Sequence, residues 1–326
     1  MTSKSVLVAG AGGFIGGAIV ADLRRQGTER IRAVDIKPFD AWYQRFEEVE
    51  NLQLDLRDRD ACRTAVSGMD EVYNLAADMG GMGFIESHKA LCMLSVLINT
   101  HLLLAAQAAG VSRYFFASSA CVYAADKQVN PNVTALREED AYPVMPEDGY
   151  GWEKLFSERM CRHFREDLGL ETRVARFHNV YGPHGTWDGG REKAPAAICR
   201  KVIHAVETGC SWIEIWGDGK QTRSFTYIDD CVVGTQRILH SDVVDPINLG
   251  SSELVTIDQL VSLVEEVAGA KLERRYKLDA PRGVNGRNSD NSRILRELDW
   301  EPRVRLRDGI ARTYAWIQGQ YKAARS

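Results

Sequence analysis

Tyr150 and Lys154 stand four residues apart in the segment GYGWEKLFSERM. On a helix that spacing puts both side chains on one face, with Cβ atoms roughly 5–6 Å apart. A tyrosine with a pKa near ~10 is a poor base at neutral pH, and bringing it to about 7 means stabilising the phenolate by roughly 4 kcal/mol, at ~1.36 kcal/mol per unit. A nearby ammonium is one agent that does this. By itself a Y-x-x-x-K pair is common and usually a surface contact; here its company changes the reading. The segment SSACVY (118–123) ends an apolar, aromatic run and carries Ser119, which can share a proton with Tyr150, and Cys121. Lys193 lies in GTWDGGREKAPAAICRK (185–201). A thiol has a reference pKa of about 8.5 that a neighbouring cation lowers, and an ammonium can donate a proton as well as depress that thiol. Taken alone, a cysteine at a strand end is more often a small buried apolar residue, and a lysine in a Gly-rich loop is usually solvated.

Residues 4–16 read KSVLVAGAGGFIG, a strand, then Gly10, Gly13 and Gly16, then a helix opened by Phe14 and Ile15. Glycines there permit a tight turn and let backbone N–H groups approach a pyrophosphate at the positive end of the helix. The spacing G-x-x-G-x-x-G departs slightly from G-x-G-x-x-G, and a glycine triplet alone can be plain turn chemistry. Its strand–turn–helix context and Asp35, which ends a second strand 19 residues after Gly16, point to a dinucleotide. Asp35 is placed to accept hydrogen bonds from an adenosine ribose and to repel a 2′-phosphate, which favours NAD over NADP; Lys37 leaves the second cofactor open. Asp55, after the third strand, suits the adenine amino group, and Leu56 and Ala76 complete the expected cofactor set with Tyr150 and Lys154.

The elements that must position these groups alternate. Strands are expected at 5–9, 30–35, 51–54, 71–75, 113–117 and 171–177, and helices near 14–26, 58–67, 88–109 and 148–168. This pattern predicts an α/β fold, a doubly wound parallel Rossmann sheet with helices on both faces. Residues 1–178 are expected to form the cofactor-binding domain, with a short return segment near 225–250, and residues 179–326 a smaller substrate-binding lobe. Ligands in such folds sit at the carboxyl ends of the strands.

Composition excludes several classes. With 44% hydrophobic and 26% charged residues the 326-residue chain is neither disordered nor fibrous. A net charge of −4 offers no general attraction to nucleic acid or anionic membrane. The seven cysteines are scattered without a C-x-x-C pair, so neither a disulfide framework nor a metal site is expected, and the compartment is expected to be the reducing cytoplasm. The longest apolar stretch, Leu91 to Gly110, is interrupted by Ser95, Asn99, Thr100, His101 and Gln107 and reads as a buried helix. Trp187, Trp212, Trp216, His178 and the cysteines other than Cys121 read as packing residues.

GAGGFIG, NLAA (74–77), SSACVY, Y-x-x-x-K, RFHNVYGP (176–183), GDGKQTRSFTYIDD (217–230) and L-D-W-x-P (298–302) together resemble the extended short-chain dehydrogenase/reductase superfamily over essentially the whole chain. That resemblance implies a nucleotide-sugar substrate and NAD as a transient oxidant of the sugar. NLAADMGGMGFI (74–85), Cys121, Lys193 and RGVNGRNSDN (282–291) resemble, more narrowly, the GDP-mannose 3′,5′-epimerase family, an isomerase class. The implied chemistry has a simple rationale. A sugar C–H is too weak an acid for a side chain to remove, but oxidising C4 to a ketone acidifies the protons on C3 and C5. One group then takes a proton from one face of the ring and another returns one to the opposite face.

The roles implied are Tyr150 as base for the C4 hydroxyl, Lys154 lowering its pKa, Ser119 assisting, Cys121 as proton abstractor and Lys193 as donor. By family position Arg287, Arg223 and Lys201 are expected at the diphosphate, where Arg offers a planar fork, with Asn179 and Gln221 also on the substrate. Gly80, Gly81 and Gly83 would let backbone approach the hexose; the plainer reading is a flexible turn. The helices near 88–109 and 150–168 occupy the positions that relatives use for a dimeric four-helix bundle, and Leu91, Leu94, Leu97, Ile98 and Leu102 form an apolar stripe that also fits packing on the chain's own sheet. A 4-epimerase, dehydratase or decarboxylase on another nucleotide sugar is the alternative within the class, and an NAD-sensing regulator without turnover the alternative outside it.

Overall fold

A computed structural model describes residues 4–280 and 283–325. Arg282, which opens the RGVNGRNSDN stretch, lies outside the described residues. Seven strands form one sheet: β1 (Ser5–Ala9), β2 (Arg30–Asp35), β3 (Glu50–Gln53), β4 (Glu71–Asn74), β5 (Arg113–Ser119), β6 (Thr172–Phe177) and β7 (Ile247–Leu249). Their order is β7-β6-β5-β4-β1-β2-β3 and every pairing is parallel.

A side-chain period of two sends alternate residues of these strands to the two faces of the sheet, both of which are covered. Val6 and Val8 face one core, with Ile19, Leu23 and Cys231 from the helices Phe14–Arg25 and Ile228–Leu239. Leu7 and Ala9 face the other, with Cys62, Leu102 and Cys161 from Arg59–Val66, Ser95–Ala108 and Tyr150–Leu168. Tyr114 and Phe116 alternate with Phe115 in the same way. The first core continues without a break into Ile198, Val202, Val261 and Ile317 on three helices of the C-terminal part, Ala194–Thr208, Ile257–Ala268 and Leu306–Ala323. Three small sheets complete that part among the described residues: Val180–Tyr181 beside Thr226–Tyr227, Trp212–Trp216 beside Glu273–Lys277, and Thr222–Ser224 between Leu254–Thr256 and Gly286–Arg287.

The expected helix over 88–109 is two helices, Lys89–Met93 and Ser95–Ala108. At the break Ser95 is buried, and its hydroxyl accepts from the Asp78 backbone N–H at 3.0 Å. The leucine stripe also divides. Leu102 is fully buried and Ile98 packs beside it, whereas Leu91, Leu94 and Leu97 are exposed together with Leu104. This stretch is long and apolar enough to cross a membrane by composition alone, but its inner face packs through Leu102, Leu103 and Ala106 on the sheet.

Candidate active site

The chain order reverses between β1 and β4, and a crevice for ligand opens at such a point. Gly10 follows β1 with φ of +83°, a conformation that L side chains rarely adopt, and a Cβ there would lie 2.8 Å from the Ala76 nitrogen beyond β4. A Cβ on Gly16 would overlap the Gly10 carbonyl oxygen, so the helix can approach the turn this closely only without one. Gly13 is the N-cap of Phe14–Arg25, which has no side-chain cap and no acidic residue in its first turn. An uncapped helix N-terminus aimed at a glycine turn leaves donors and a positive field for a diphosphate, so these residues fit NAD. Asp35 ends β2, buried, with one oxygen accepting from the Lys37 N–H at 3.0 Å. The Lys37 ammonium reaches the Gly12 carbonyl at 3.3 Å. Asp55 is gripped by Arg57: the guanidinium bonds both carboxylate oxygens, and this pairing holds the carboxyl below its usual range. Leu56 is buried in the second core.

One cavity of about 270 Å³ is lined by Ser119, Cys121 and Tyr150 from the sheet side and by Lys193, Lys201, Gln221, Arg223 and Arg287 from the C-terminal part. Asn179, Gly80, Gly81 and Gly83 also line it. Ser119 and Cys121 are there because β5 ends at Ser119 and passes into a single tight turn, Ala120–Val122, whose first N–H groups include the Cys121 N–H donating to the Ser119 hydroxyl at 3.2 Å. Tyr150 opens its helix, and Lys193 is the N-cap of Ala194–Thr208. Lys154 is not in the wall. It lies buried behind it, its Nζ 4.7 Å from the Phe116 ring centroid, 5.4 Å from that of Tyr150 and 3.5 Å from a Glu153 carboxylate oxygen.

The electrostatics differ from the sequence expectation at Tyr150. Burial pushes the phenol well above its ordinary value, the Cys121 and Glu153 charges push the same way, and the Ser119 hydrogen bond opposes them. Cys121 is also raised, by burial first and by Glu147 second, against the pull of Arg287, the Ser119 hydrogen bond and Lys193. Burial lowers the Lys193 ammonium, with Cys121 opposing. The site as folded therefore favours neutral forms: a thiol, a phenol and an amine eased toward losing its proton.

Three of the cavity residues are also held tightly by the chain itself. Arg287, expected at a diphosphate, is buried and its fork is engaged: Nε donates to Gln128 Oε1 at 2.7 Å, Nη1 faces Cys121 Sγ at 3.7 Å and Nη2 bonds Glu147 Oε1. Gly80 and Gly81 are small because the chain itself presses on them. Added Cβ atoms would meet Phe84 Cβ at 2.9 Å and the Glu192 carbonyl oxygen at 2.6 Å, whereas at Gly83 a Cβ would make an ordinary contact with Trp216 at 3.8 Å. Lys201 donates to the Glu214 carbonyl at 2.7 Å, Asn179 to the Ser224 carbonyl at 3.0 Å, and Arg223 to the Thr222 carbonyl at 2.8 Å. The Gln221 side-chain oxygen is buried without a hydrogen-bond partner among the described residues. Glu147 and Gln128 escaped the sequence reading; the only local hint is Glu147 in PEDGYG, three residues before Tyr150.

Residues 6–250 match the NAD dependent epimerase/dehydratase family. The chain is 46% identical over 316 residues to GDP-mannose 3,5-epimerase 1 of Oryza sativa subsp. japonica, covering 97% of this chain and 82% of that one. It is 44% identical to GDP-mannose 3,5-epimerase of Arabidopsis thaliana over the same shares. Among solved structures, UDP-glucose 4-epimerase of Thermotoga maritima with UDP-glucose superposes with a TM-score of 0.87 at 23% identity, covering 98% of this chain and 100% of that one, a likeness of fold. Sequence, sheet order and glycine cradle agree: the chain belongs to the NAD dependent epimerase/dehydratase family.

Proposed function

We propose that the protein inverts C3 and C5 of GDP-mannose, forming GDP-L-galactose, or GDP-L-gulose where C5 alone inverts, through oxidation of C4, proton exchange at the flanking carbons and reduction of C4. Identity to two GDP-mannose 3,5-epimerases along 97% of the chain supports the substrate. The observation that carries the chemistry is that Ser119, Cys121, Tyr150 and Lys193, from three separate segments, line one cavity.

The Gly10–Gly16 turn and the uncapped helix N-terminus at Gly13 would hold NAD, which when bound would supply a reversible hydride acceptor for C4, so that no net oxidation would result. Tyr150 takes the proton of the C4 hydroxyl, with its hydrogen-bond partner Ser119 sharing it. Lys154, buried behind the ring, supplies positive charge as the phenolate forms. Cys121 removes the proton next to the ketone, its thiolate favoured by Arg287 and Lys193. Lys193 delivers a proton to the opposite face, a role suited to an ammonium that burial has made more acidic. Two such copies are taken to associate through the exposed Leu91, Leu94, Leu97 and Leu104 with Trp152 and Phe156 of the neighbouring helix, an apolar face larger than scattered surface residues require.

The test is turnover of GDP-mannose with NAD in D₂O, read by sugar-ring NMR. Product should carry deuterium at C5, and at C3 where that centre inverts. Cys121→Ser should stop the exchange while NADH still forms transiently. Unlabelled product from active wild-type protein would discard the mechanism.

A further inference from the structure

Glu147 occupies a position that the chemistry above leaves unused. Its backbone N–H donates to the Cys121 carbonyl at 3.0 Å, which fixes it beside the thiol turn. One carboxylate oxygen, Oε1, is paired with Nη2 of Arg287, and both side chains are nearly closed to solvent, 11% and 6% exposed. The other, Oε2, is buried and has no hydrogen-bond partner among the described residues, although the residue lines the substrate cavity. A buried carboxylate oxygen without a donor is costly, and the ready source of a donor in a sugar cavity is a hydroxyl.

The guanidinium that Glu147 holds is the one facing sulfur. Gln128 fixes its Nε at 2.7 Å and Glu147 its Nη2, which leaves Nη1 at 3.7 Å from Cys121 Sγ. The fork geometry is thus determined from two sides. We propose that Glu147 is a positioning residue: it fixes the Arg287 guanidinium against the Cys121 sulfur, opposes that guanidinium's charge at the thiol, and offers its second carboxylate oxygen to a hydroxyl of the bound hexose. This rests on the reading of Cys121 as the group that removes the sugar proton. When the hexose hydroxyl donates to Oε2, part of the carboxylate's charge is answered by the sugar, and Arg287 acts on the sulfur with less opposition. The thiolate is then favoured where and when a substrate is present.

The charged and titratable groups that face the thiol come from every wall: Glu147 before the Tyr150 helix, Tyr150 itself, Lys193 at its helix N-terminus, and Arg223 and Arg287 on adjacent strands. Of these, Glu147 is the carboxylate whose charge raises the thiol.

The test uses the full-length NAD-loaded protein. Iodoacetamide alkylation of Cys121, followed by peptide mass spectrometry as a function of pH, reads the thiol without turnover. Glu147→Gln keeps an acceptor for Arg287 and removes the charge, so the inflection should move to lower pH. Glu147→Asp, which restores the charge, should return it toward wild type. With GDP-mannose, the KM of Glu147→Gln should rise roughly 3–10-fold, as a charge-assisted hydrogen bond becomes a neutral one. The inhibition constant of GDP alone, which has no hexose, should not change. An unmoved inflection in a Glu147→Gln protein with wild-type circular dichroism overturns the charge role, and an equal rise for GDP-mannose and GDP overturns the hexose contact. Deuterium exchange that survived Cys121→Ser would sink the proposed function yet leave the alkylation result standing.

Discussion

The end of β5, which carries Ser119 and Cys121, is anchored by a buried ion pair, and breaking that pair should be severe. Glu158 and Arg176 are each about 97–98% enclosed, joined through two parallel hydrogen bonds, Nε to Oε1 at 2.9 Å and Nη2 to Oε2 at 2.8 Å. Ser118, next to Ser119, donates to the same carboxylate at 2.5 Å, and Arg176 Nη1 donates to the Glu138 carbonyl at 2.7 Å. Burial alone pushes Arg176 toward its neutral form, and the Glu158 carboxylate more than reverses that, so the pair is net favourable for the charged state. Glu158→Ala leaves a buried guanidinium without its counter-charge and Ser118 without its acceptor. The expected loss is about 3–5 kcal/mol. With an m-value near 3 kcal/mol/M, that lowers the urea midpoint by roughly 1–1.7 M. The paired replacement Glu158→Leu with Arg176→Met removes both charges and should recover most of the loss. Tryptophan fluorescence in a urea series measures both. A single variant within ~1 kcal/mol of wild type, or a double variant no better than the single, refutes the reasoning.

Buried thiols make a second expectation. Burial pushes Cys62, Cys199 and Cys231 up to about 12, with Asp58 and Asp55 adding to the rise at Cys62. The folded protein therefore keeps protons that the unfolded chain releases above pH ~9, and stability falls as pH rises through that window. The three together should lower it by roughly 4 kcal/mol between pH 8 and pH 10, and a urea midpoint constant over that range would contradict their burial. For the apolar face, Leu94→Glu with Phe156→Glu should yield a monomer in sedimentation velocity with a stability change within ~0.5 kcal/mol per site, since both side chains are exposed. A wild-type monomer, or a double variant that stays dimeric, would refute the association proposed.

Much of the fold was legible because its signals are local. Strand and helix positions follow from runs such as Val6–Ala9 and from glycine placement, and period two carries alternate side chains into the two cores. The glycine turn was legible for the same reason: Gly10 needs its positive φ whatever surrounds it. The leucine stripe was less so, since a helix that is apolar on two faces shows no periodicity to say which is covered; packing put Leu102 inside and left Leu94 out.

The residues themselves determined a parallel α/β frame, a glycine cradle and the chemical kinds of group available, because these depend on neighbours a few positions away. What each group does was decided by tertiary structure. Arg287 meets Cys121 across 166 positions of chain and Gln128 across 159, and Gly81 is small because Glu192 presses on it. Charge in a site is set by what burial removes and which opposite charge comes near. Those are properties of a packed cavity, brought together by segments that carry no record of each other in their order.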